Sequence, residues 1–252
     1  MINHHVAAVS GGTSGIGRAV LEMLSQAGVR VGFSGRRAER IGQIASEHNE
    51  SSHRVEGLVV DAADEDHVAK LFDAAYRAFG EHPSAFVLCA GRGLPGSVID
   101  SDATLWEELF RVNVIGAMRQ LRACAAFFKE SYHTERSEIR DIVVIGSTVG
   151  RTLSAGNPVY GATKFALHSL VESLRQELCG YGVRVSLIEP GFVKTEFQAA
   201  AGYDMKWFDD IEQSQGPLLS AGNVAASIRF VLEQPPHVHV DNVRIRPTRQ
   251  RI

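Results

Sequence analysis

A tyrosine and a lysine four residues apart are well suited to proton transfer. Tyr160 and Lys164 stand in the segment Tyr-Gly-Ala-Thr-Lys, and residues at i and i+4 share one face of a helix. A phenol has a pKa of about 10, which a neighbouring ammonium group lowers by favouring the phenolate. The pair therefore indicates a general acid or base, although an exposed helical turn shows the same spacing by chance.

Ser147 strengthens the catalytic interpretation. It ends an apolar run that begins at Asp141, and it precedes Tyr160 by thirteen residues. Ligands of α/β proteins bind beyond the carboxyl ends of the strands, so a hydroxyl at this position can contact a reacting oxygen. We therefore predict a catalytic set of Ser147, Tyr160 and Lys164.

A glycine-rich turn directly follows the first apolar run and leads into a helical pattern. Its spacing, GxxxGxG, allows a tight turn and a close approach to a pyrophosphate, and the helix N-terminus offers amide donors. The alternative is a plain strand-to-helix turn. The residues that we expect to contact a dinucleotide here are Gly11, Thr13, Ser14, Gly15, Ile16 and Gly17.

The ends of the next two predicted strands bear on the choice of dinucleotide. Arg36 and Arg37 occupy the position at which an acid would bind the adenosine ribose 2′-hydroxyl. An arginine offers a planar fork to a 2′-phosphate, so NADP(H) is favoured, unless both arginines belong to a solvated helical turn. Asp61, followed by Ala62, is suited to accept a hydrogen bond from adenine or to cap the next helix.

A parallel sheet would bring these residues together. Seven short apolar runs alternate with helical patterns, and most are continuous enough in apolar residues to be buried on both faces. This alternation predicts an α/β protein, namely a three-layer, doubly wound Rossmann fold with a seven-stranded parallel sheet and one domain over 1–252. The stretch at about 192–220 is predicted to be a substrate lid. The runs cover 6–10, 29–34, 54–60, 85–90, 141–147, 183–188 and 242–245.

Composition limits the partners of the chain. Its 252 residues include 26 basic and 29 acidic side chains, and a net charge of −3 gives no basic field for nucleic acid. Apolar runs are far shorter than the roughly 18 residues that span a bilayer, and no secretory signal pattern is present. Cys89, Cys124 and Cys179 are typical of reduced core thiols, without metal-site spacing. We expect a cytoplasmic protein with no metal, membrane or nucleic-acid partner.

Taken together, the motifs resemble the branch of the short-chain dehydrogenase/reductase family that has about 250 residues. They occur in the family's order over nearly the whole chain. Leu88-Cys89-Ala90-Gly91 departs from the family's Asn-Asn-Ala-Gly but keeps the small residues. The resemblance is carried by the glycine turn and by Asn113, Ser147, Tyr160, Lys164, Pro190, Gly191, Val193 and Thr195.

The resemblance implies hydride transfer at a carbonyl or alcohol carbon. Tyr160 would protonate the carbonyl oxygen, Ser147 would hydrogen-bond it, and Lys164 would hold the nicotinamide ribose and lower the pKa of the tyrosine. Asn113 would anchor a water molecule of a proton relay. The further cofactor contacts that it implies are Ala90, Gly91, Pro190, Gly191, Val193 and Thr195.

The expected activity is NADPH-dependent reduction of a ketone or aldehyde, with secondary metabolism as one setting. Oxidation of an alcohol or hydroxy acid and a non-catalytic dinucleotide sensor are the alternatives. Arg92 or Arg151 is a hypothetical contact for a substrate carboxylate. The family's assemblies imply a homotetramer or homodimer through the helices that hold Asn113 and Tyr160. The aromatic residues that either favour a ring-bearing substrate or hold the lid in place are Tyr203, Trp207 and Phe208.

Overall fold

All seven predicted strands are present in one parallel sheet. The computed structural model describes residues 2–49, 54–131 and 139–251, and the remaining residues of the expected domain lie outside the described ones. Two further strands, β7 (Val193–Lys194) and β8 (Leu219–Ser220), form a separate parallel pair. The strands of the large sheet are β1 (Val6–Ser10), β2 (Arg30–Gly35), β3 (Val55–Val59), β4 (Ala85–Leu88), β5 (Arg140–Ile145), β6 (Val183–Pro190) and β9 (Asn242–Ile245).

The sheet is doubly wound, as predicted. Its strand order is β3-β2-β1-β4-β5-β6-β9, so β1 lies between β2 and β4 and the winding reverses there. In such sheets ligands bind outside the carboxyl ends of the strands at the reversal point. The fourth and fifth strands end two residues earlier than predicted, which leaves Cys89 and Ala90, and likewise Gly146 and Ser147, outside the sheet at that edge.

Helices cover both faces of the sheet and give the predicted three layers. Helices α1, α2 and α9 pack on one apolar core, and α3, α5 and α6 pack on the other. Each fully buried Val, Leu or Phe side chain stabilises the fold by about 1.5–3 kcal/mol. The helices are α1 (Gly15–Gln26), α2 (Ala38–Asn49), α3 (His67–Phe79), α4 (Trp106–Phe110), α5 (Ala117–Ser131), α6 (Pro158–Leu178), α7 (Glu196–Ala200), α8 (Met205–Gln215) and α9 (Ala221–Leu232).

A buried ionic network holds the opposite, amino-terminal edge of the sheet. The Asp141 carboxylate accepts two hydrogen bonds from Arg184, at 2.8 and 2.6 Å, and lies 2.6 Å from His4 Nε2. Arg184 also donates to three backbone carbonyls between residues 234 and 238. Burial opposes ionisation, but the hydrogen bonds of His4 and Arg184 hold the pKa of Asp141 below its usual value.

The sequence expectation for the three cysteines can be compared with burial directly. Cys124 is buried and Cys89 is partly buried, but Cys179 is exposed after the end of α6, so the expectation of three core thiols is wrong for Cys179. None of the helices in the described part of the chain is long and apolar enough to cross a membrane. Within that same part, no group of three His, Cys, Asp or Glu side chains is placed to hold a metal ion.

Candidate active site

A cleft of about 580 Å³ opens at the carboxyl ends of the central strands. Its wall contains Ser147, Tyr160 and Lys164, whereas Asn113 lies behind it, facing Gly91. The sheet therefore brings the whole predicted dinucleotide set to one surface. The members of that set in the wall are Gly11, Thr13, Ser14, Gly15, Ile16, Gly17, Arg36, Arg37, Asp61, Ala62, Ala90, Gly91, Tyr160, Lys164, Pro190, Gly191, Val193 and Thr195.

The glycine-rich turn forms a tight cradle that requires glycine at three positions, two of them for backbone conformation. Gly11 and Gly15 have φ angles of +77° and +51°, in the left-handed region that favours glycine. A methyl group on Gly17 would overlap the carbonyl oxygen of Gly11. Helix α1 begins at Gly15, and the Ser14 side chain does not cap it. Amide donors at a helix N-terminus suit an anion, so the turn fits the pyrophosphate of a dinucleotide.

Two arginines line the end of the cleft beside β2, and a third, Arg40, is linked to them through Glu196. Arg36 and Arg37 are exposed and precede α2, which begins at Ala38, so neither belongs to its first turn. Arg37 donates to the Thr13 hydroxyl at 3.1 Å, and it lies 3.4 Å from the Glu196 carboxylate. Arg40 binds the same carboxylate oxygen at 2.6 Å. These arginines, Arg40 ahead of Arg37, lower the pKa of Glu196.

Asp61 lies in the cleft wall but caps no helix. Its Oδ1 accepts a hydrogen bond from the Ala63 amide at 2.9 Å, and its Oδ2 pairs with Arg111 at 3.0 Å. Helix α3 begins six residues later, at His67, so the helix-cap alternative is wrong. Burial opposes ionisation, but both hydrogen bonds keep the pKa of Asp61 below its usual value.

The candidate catalytic side chains meet where α6 faces the end of β5. Tyr160 and Lys164 are only 9% and 6% exposed, and the Ser147 hydroxyl is near enough to Tyr160 to lower the pKa of the phenol. Lys164 Nζ donates to the carbonyl oxygen of Ile145 at 2.9 Å and lies 5.8 Å from the centre of the Tyr160 ring. A buried phenol, a hydroxyl and an ammonium group thus share one wall of the cleft.

The pKa of Tyr160 differs from the sequence expectation. Burial raises it above the usual value for a phenol, the nearby Tyr203 adds to the rise, and the hydrogen bond with Ser147 opposes it. Burial also lowers the pKa of Lys164 to about 8. The expected lowering by Lys164 is not seen, because desolvation of the phenolate is the largest cause of the shift. Tyr160 is therefore a neutral phenol at pH 7.

Asn113 joins the wall of the cleft to α6. It lies in a π-helical segment, Arg111–Gly116, between α4 and α5, and such segments are frequent at functional sites. Its amide accepts from the Arg92 nitrogen and donates to the Arg92 oxygen, both at 2.8 Å, and donates to Thr163 Oγ1 at 3.1 Å. These bonds fix the chain after β4 against the helix that carries Tyr160 and Lys164.

The two arginines that sequence analysis proposed for a substrate carboxylate differ in position. Arg92 lines the cleft. Arg151 is not among the cleft residues, because its guanidinium binds the fully buried Glu189 carboxylate at 2.5 Å. This ion pair leaves Arg92 as the candidate of the two.

The aromatic residues of the predicted lid pack mainly on one another. Phe208 is buried against Phe192, Tyr203 and Trp207, with ring centres 4.9–5.9 Å apart. Trp207 is 48% exposed. Tyr203 also approaches Asn157 Nδ2, with its hydroxyl 3.5 Å away. These ring contacts join residues of the segment to one another, and Tyr203 is the member of this set that raises the pKa of Tyr160.

Several residues of the site were not found from the sequence, and three of them have side chains that bear on its chemistry. Glu196 and Phe197 line the cleft, and His168 contacts the backbone of Ser147. His168 follows Lys164 by four residues and thus shares its helix face, which is a signal that the sequence carries. Glu196 and Phe197 lie in the predicted lid and could be located only generally.

A doubly wound parallel sheet with a glycine-rich turn at its reversal point is the architecture of a dinucleotide-binding protein. The model of the short chain dehydrogenase family matches residues 5–206. The chain is 32% identical over 248 residues to an uncharacterised oxidoreductase of Staphylococcus epidermidis, covering 98% of each chain. The chain belongs to the short-chain dehydrogenase/reductase family of oxidoreductases, which use nicotinamide dinucleotides.

Solved structures agree with this assignment. The closed form of a serine dehydrogenase complexed with NADP+ has a TM-score of 0.85 and 26% identity, with 98% of this chain and 96% of that chain covered. The serine dehydrogenase of Escherichia coli has a TM-score of 0.76 and 25% identity, over 98% and 100% of the two chains. An alcohol dehydrogenase from Thermococcus sibiricus complexed with 5-hydroxy-NADP shares the fold, with a TM-score of 0.82, 24% identity and 98% coverage of both chains.

Proposed function

We propose that this protein is an NADP(H)-dependent ketoreductase that reduces a ketone or aldehyde to an alcohol. The observation that carries the proposal is the juxtaposition of Ser147, Tyr160 and Lys164 in the cleft that also contains the glycine cradle. A dinucleotide sensor needs none of these three side chains. The cofactor would supply the hydride.

The protonation state of Tyr160 supports the reductive direction. A reductase needs a proton donor beside the carbonyl oxygen, and burial keeps the Tyr160 phenol protonated at neutral pH. Ser147 donates a second hydrogen bond to the same oxygen, where negative charge develops. Lys164 has a pKa of about 8 and is mostly charged at pH 7, so it stabilises charge on the tyrosine oxygen once the proton has left. Asn113 would anchor the water that returns a proton.

The arginines at the adenosine end of the cleft support NADP(H) over NAD(H). A 2′-phosphate would contact Arg36 and Arg37. Strand β2 contains no carboxylate that would repel this phosphate. The glycine cradle would hold the pyrophosphate, and Asp61 with Ala62 would border the adenine. Thr195 would reach the phosphates. Toward the nicotinamide, the wall of Ala90, Gly91, Pro190, Gly191 and Val193 would complete the site.

The test is turnover with a defined set of carbonyl compounds. NADPH oxidation is followed with benzaldehyde, cyclohexanone, ethyl acetoacetate and pyruvate, and each assay is repeated with NADH. We expect turnover with at least one compound and a lower KM for NADPH than for NADH. NADPH binding without turnover on any carbonyl or alcohol would support the sensor instead.

Oxidation of a hydroxy acid is the second candidate. The similarity to serine dehydrogenase structures and the position of Arg92 in the cleft favour it. NADP+ reduction with L-serine and related hydroxy acids tests it. If Arg92 binds the carboxylate, Arg92→Ala raises the KM for these acids without raising it for neutral alcohols.

We also propose a homotetramer or homodimer formed through α5, α6 and the π-helical segment. These elements leave apolar side chains partly exposed, namely Ile115, Met118 and Phe165, at 40–44%. Burying such side chains against a second copy would remove apolar area from water. Sedimentation analysis measures the assembly directly, and a monomer at working concentration would exclude it.

A further inference from the structure

Tyr160, Lys164 and His168 follow one another at four-residue intervals on α6 and share one face of the helix. His168 is only 8% exposed. Its Nε2 atom accepts a hydrogen bond from the backbone amide of Ser147 at 3.2 Å. The imidazole therefore touches the chain at the residue that carries the candidate catalytic hydroxyl.

The loop that holds Ser147 is shaped around the His168 ring. A methyl group on Gly146 would overlap the ring at Nε2, and a methyl group on Gly150 would overlap it at Cε1. The loop is closed by a hydrogen bond from the Gly150 amide to the Ser147 carbonyl at 2.9 Å. Two glycines and one amide thus meet a single imidazole, so replacing the ring removes the surface against which the loop rests.

We propose that His168 is a positioning residue of the reaction, which holds the Ser147 amide and thereby directs the Ser147 hydroxyl toward Tyr160. The hydrogen bond requires a lone pair on Nε2, so the neutral ring carries its proton on Nδ1. This inference rests on the proposed function, because His168 acts through Ser147.

The surroundings of the ring favour this neutral form. Burial lowers the pKa of His168 to about 4, so the ring is uncharged near pH 7. Nδ1 is buried without a hydrogen-bond partner among the described residues, so the tautomer is fixed by the Ser147 amide, which requires a lone pair on Nε2. Protonation would place an N–H on Nε2 against the Ser147 N–H and break the contact. Among the charged groups that face the ring, Glu189 of β6 raises its pKa. Three cations lower it, namely Lys164 of α6, Arg244 of β9 and Arg151, which follows β5.

The first test uses the wild-type protein and requires no substrate. A long-range nitrogen–proton spectrum of protein labelled with ¹⁵N-histidine identifies the tautomer of each ring, and the His168 signals are assigned by their loss in His168→Gln. We expect a proton on Nδ1 and a lone pair on Nε2 at pH 7. A proton on Nε2, or a charged ring at that pH, overturns the proposal.

The second test separates positioning from stability. His168→Leu fills much of the same space without an acceptor, and we expect kcat to fall by about 10- to 100-fold, as small misplacements of catalytic groups cost. The Kd of NADPH should stay within about 2-fold of the wild-type value, because Ser147 is not among the proposed cofactor contacts. His168→Gln retains an acceptor and should recover most of kcat.

Val171→Ala is the matched control, because Val171 is buried on the same helix and contacts the core rather than the Ser147 loop. It should lower the Tm and leave kcat unchanged. A folded His168→Leu protein with wild-type kcat overturns the proposal, as does a kcat loss no larger than that of Val171→Ala. If His168→Leu does not fold, two results decide the proposal: the kcat of His168→Gln, which should be close to that of the wild type, and the tautomer, which should carry its proton on Nδ1. Absence of turnover in the wild type rejects the proposed function instead, and the tautomer then reports on the contact alone.

Discussion

Removing the Glu196 carboxylate should strengthen the binding of NADPH. In the structure this carboxylate spans the cleft from the segment after β7 to the arginines beside β2. A 2′-phosphate would have to compete with it for Arg37, whereas Arg40, which does not line the cleft, holds the carboxylate beside Arg37. In Glu196→Gln, Arg37 stays free for the phosphate, so the energy of the internal ion pair is no longer lost on binding.

The size of this effect follows from geometry and exposure. The contacts measure 2.6 Å to Arg40 and 3.4 Å to Arg37, and all three side chains are 41–56% exposed. Exposed ion pairs contribute about 0.2–1 kcal/mol, and 1.4 kcal/mol corresponds to about a tenfold change in affinity. The Kd of NADPH should therefore fall by up to about 5-fold, whereas the Kd of NADH should not change.

Fluorescence titration of NADPH and NADH measures both constants, at low and at high salt. The difference between Glu196→Gln and the wild type should shrink at high salt, because exposed charges are screened. Glu39→Gln, which removes an exposed carboxylate in the first turn of α2, is the control for net charge. An unchanged or larger Kd of NADPH, or an equal gain for NADH, would refute the reasoning.

The remaining predictions concern the cofactor, stability and pH. Arg36→Ala should raise the KM for NADPH and leave that for NADH unchanged; an unchanged KM for NADPH would refute the preference. Arg184→Leu leaves the Asp141 charge buried without its main partner, so the free energy of unfolding should fall by about 3–5 kcal/mol, measured by urea unfolding; a loss below about 1 kcal/mol contradicts this. The pKa of Asp141 is lowered in the folded state, so its ionisation stabilises the protein at pH values above about 4, the pKa of an aspartate in the unfolded chain. This contribution disappears as the pH falls through the lower pKa of the folded state. Stability curves against pH for wild type and Asp141→Asn should differ above pH 4 and converge below it. In the reductive direction, kcat should decline above pH 8 as Lys164 loses its proton.

Much of the fold and of the site could be predicted because their signals are local in sequence. The strands are continuous apolar runs, and a parallel sheet buried on both faces requires such runs. Tyr160 and Lys164 lie on one helix face by their spacing alone, and the glycine turn lies at a strand end. The carboxyl ends of parallel strands share one edge of the sheet, so these features were expected to meet.

What could not be predicted depends on contacts between distant segments. Arg151 pairs with Glu189, 38 residues away, and Glu196 reaches Arg40 over 156 residues. Neither pairing has a spacing signal. The pKa of Tyr160 rises because the folded chain buries the phenol and brings Tyr203 near it, whereas sequence spacing showed only the nearby lysine.

The most direct test of the central claim compares Tyr160→Phe with the wild type. The substitution removes only the phenolic oxygen and leaves the glycine cradle and the arginines in place. Our proposal predicts that Tyr160→Phe binds NADPH with a Kd within about 2-fold of wild type but reduces the best carbonyl substrate at least about 100-fold more slowly, as expected for the loss of a general acid. Turnover by Tyr160→Phe at the wild-type rate would contradict it.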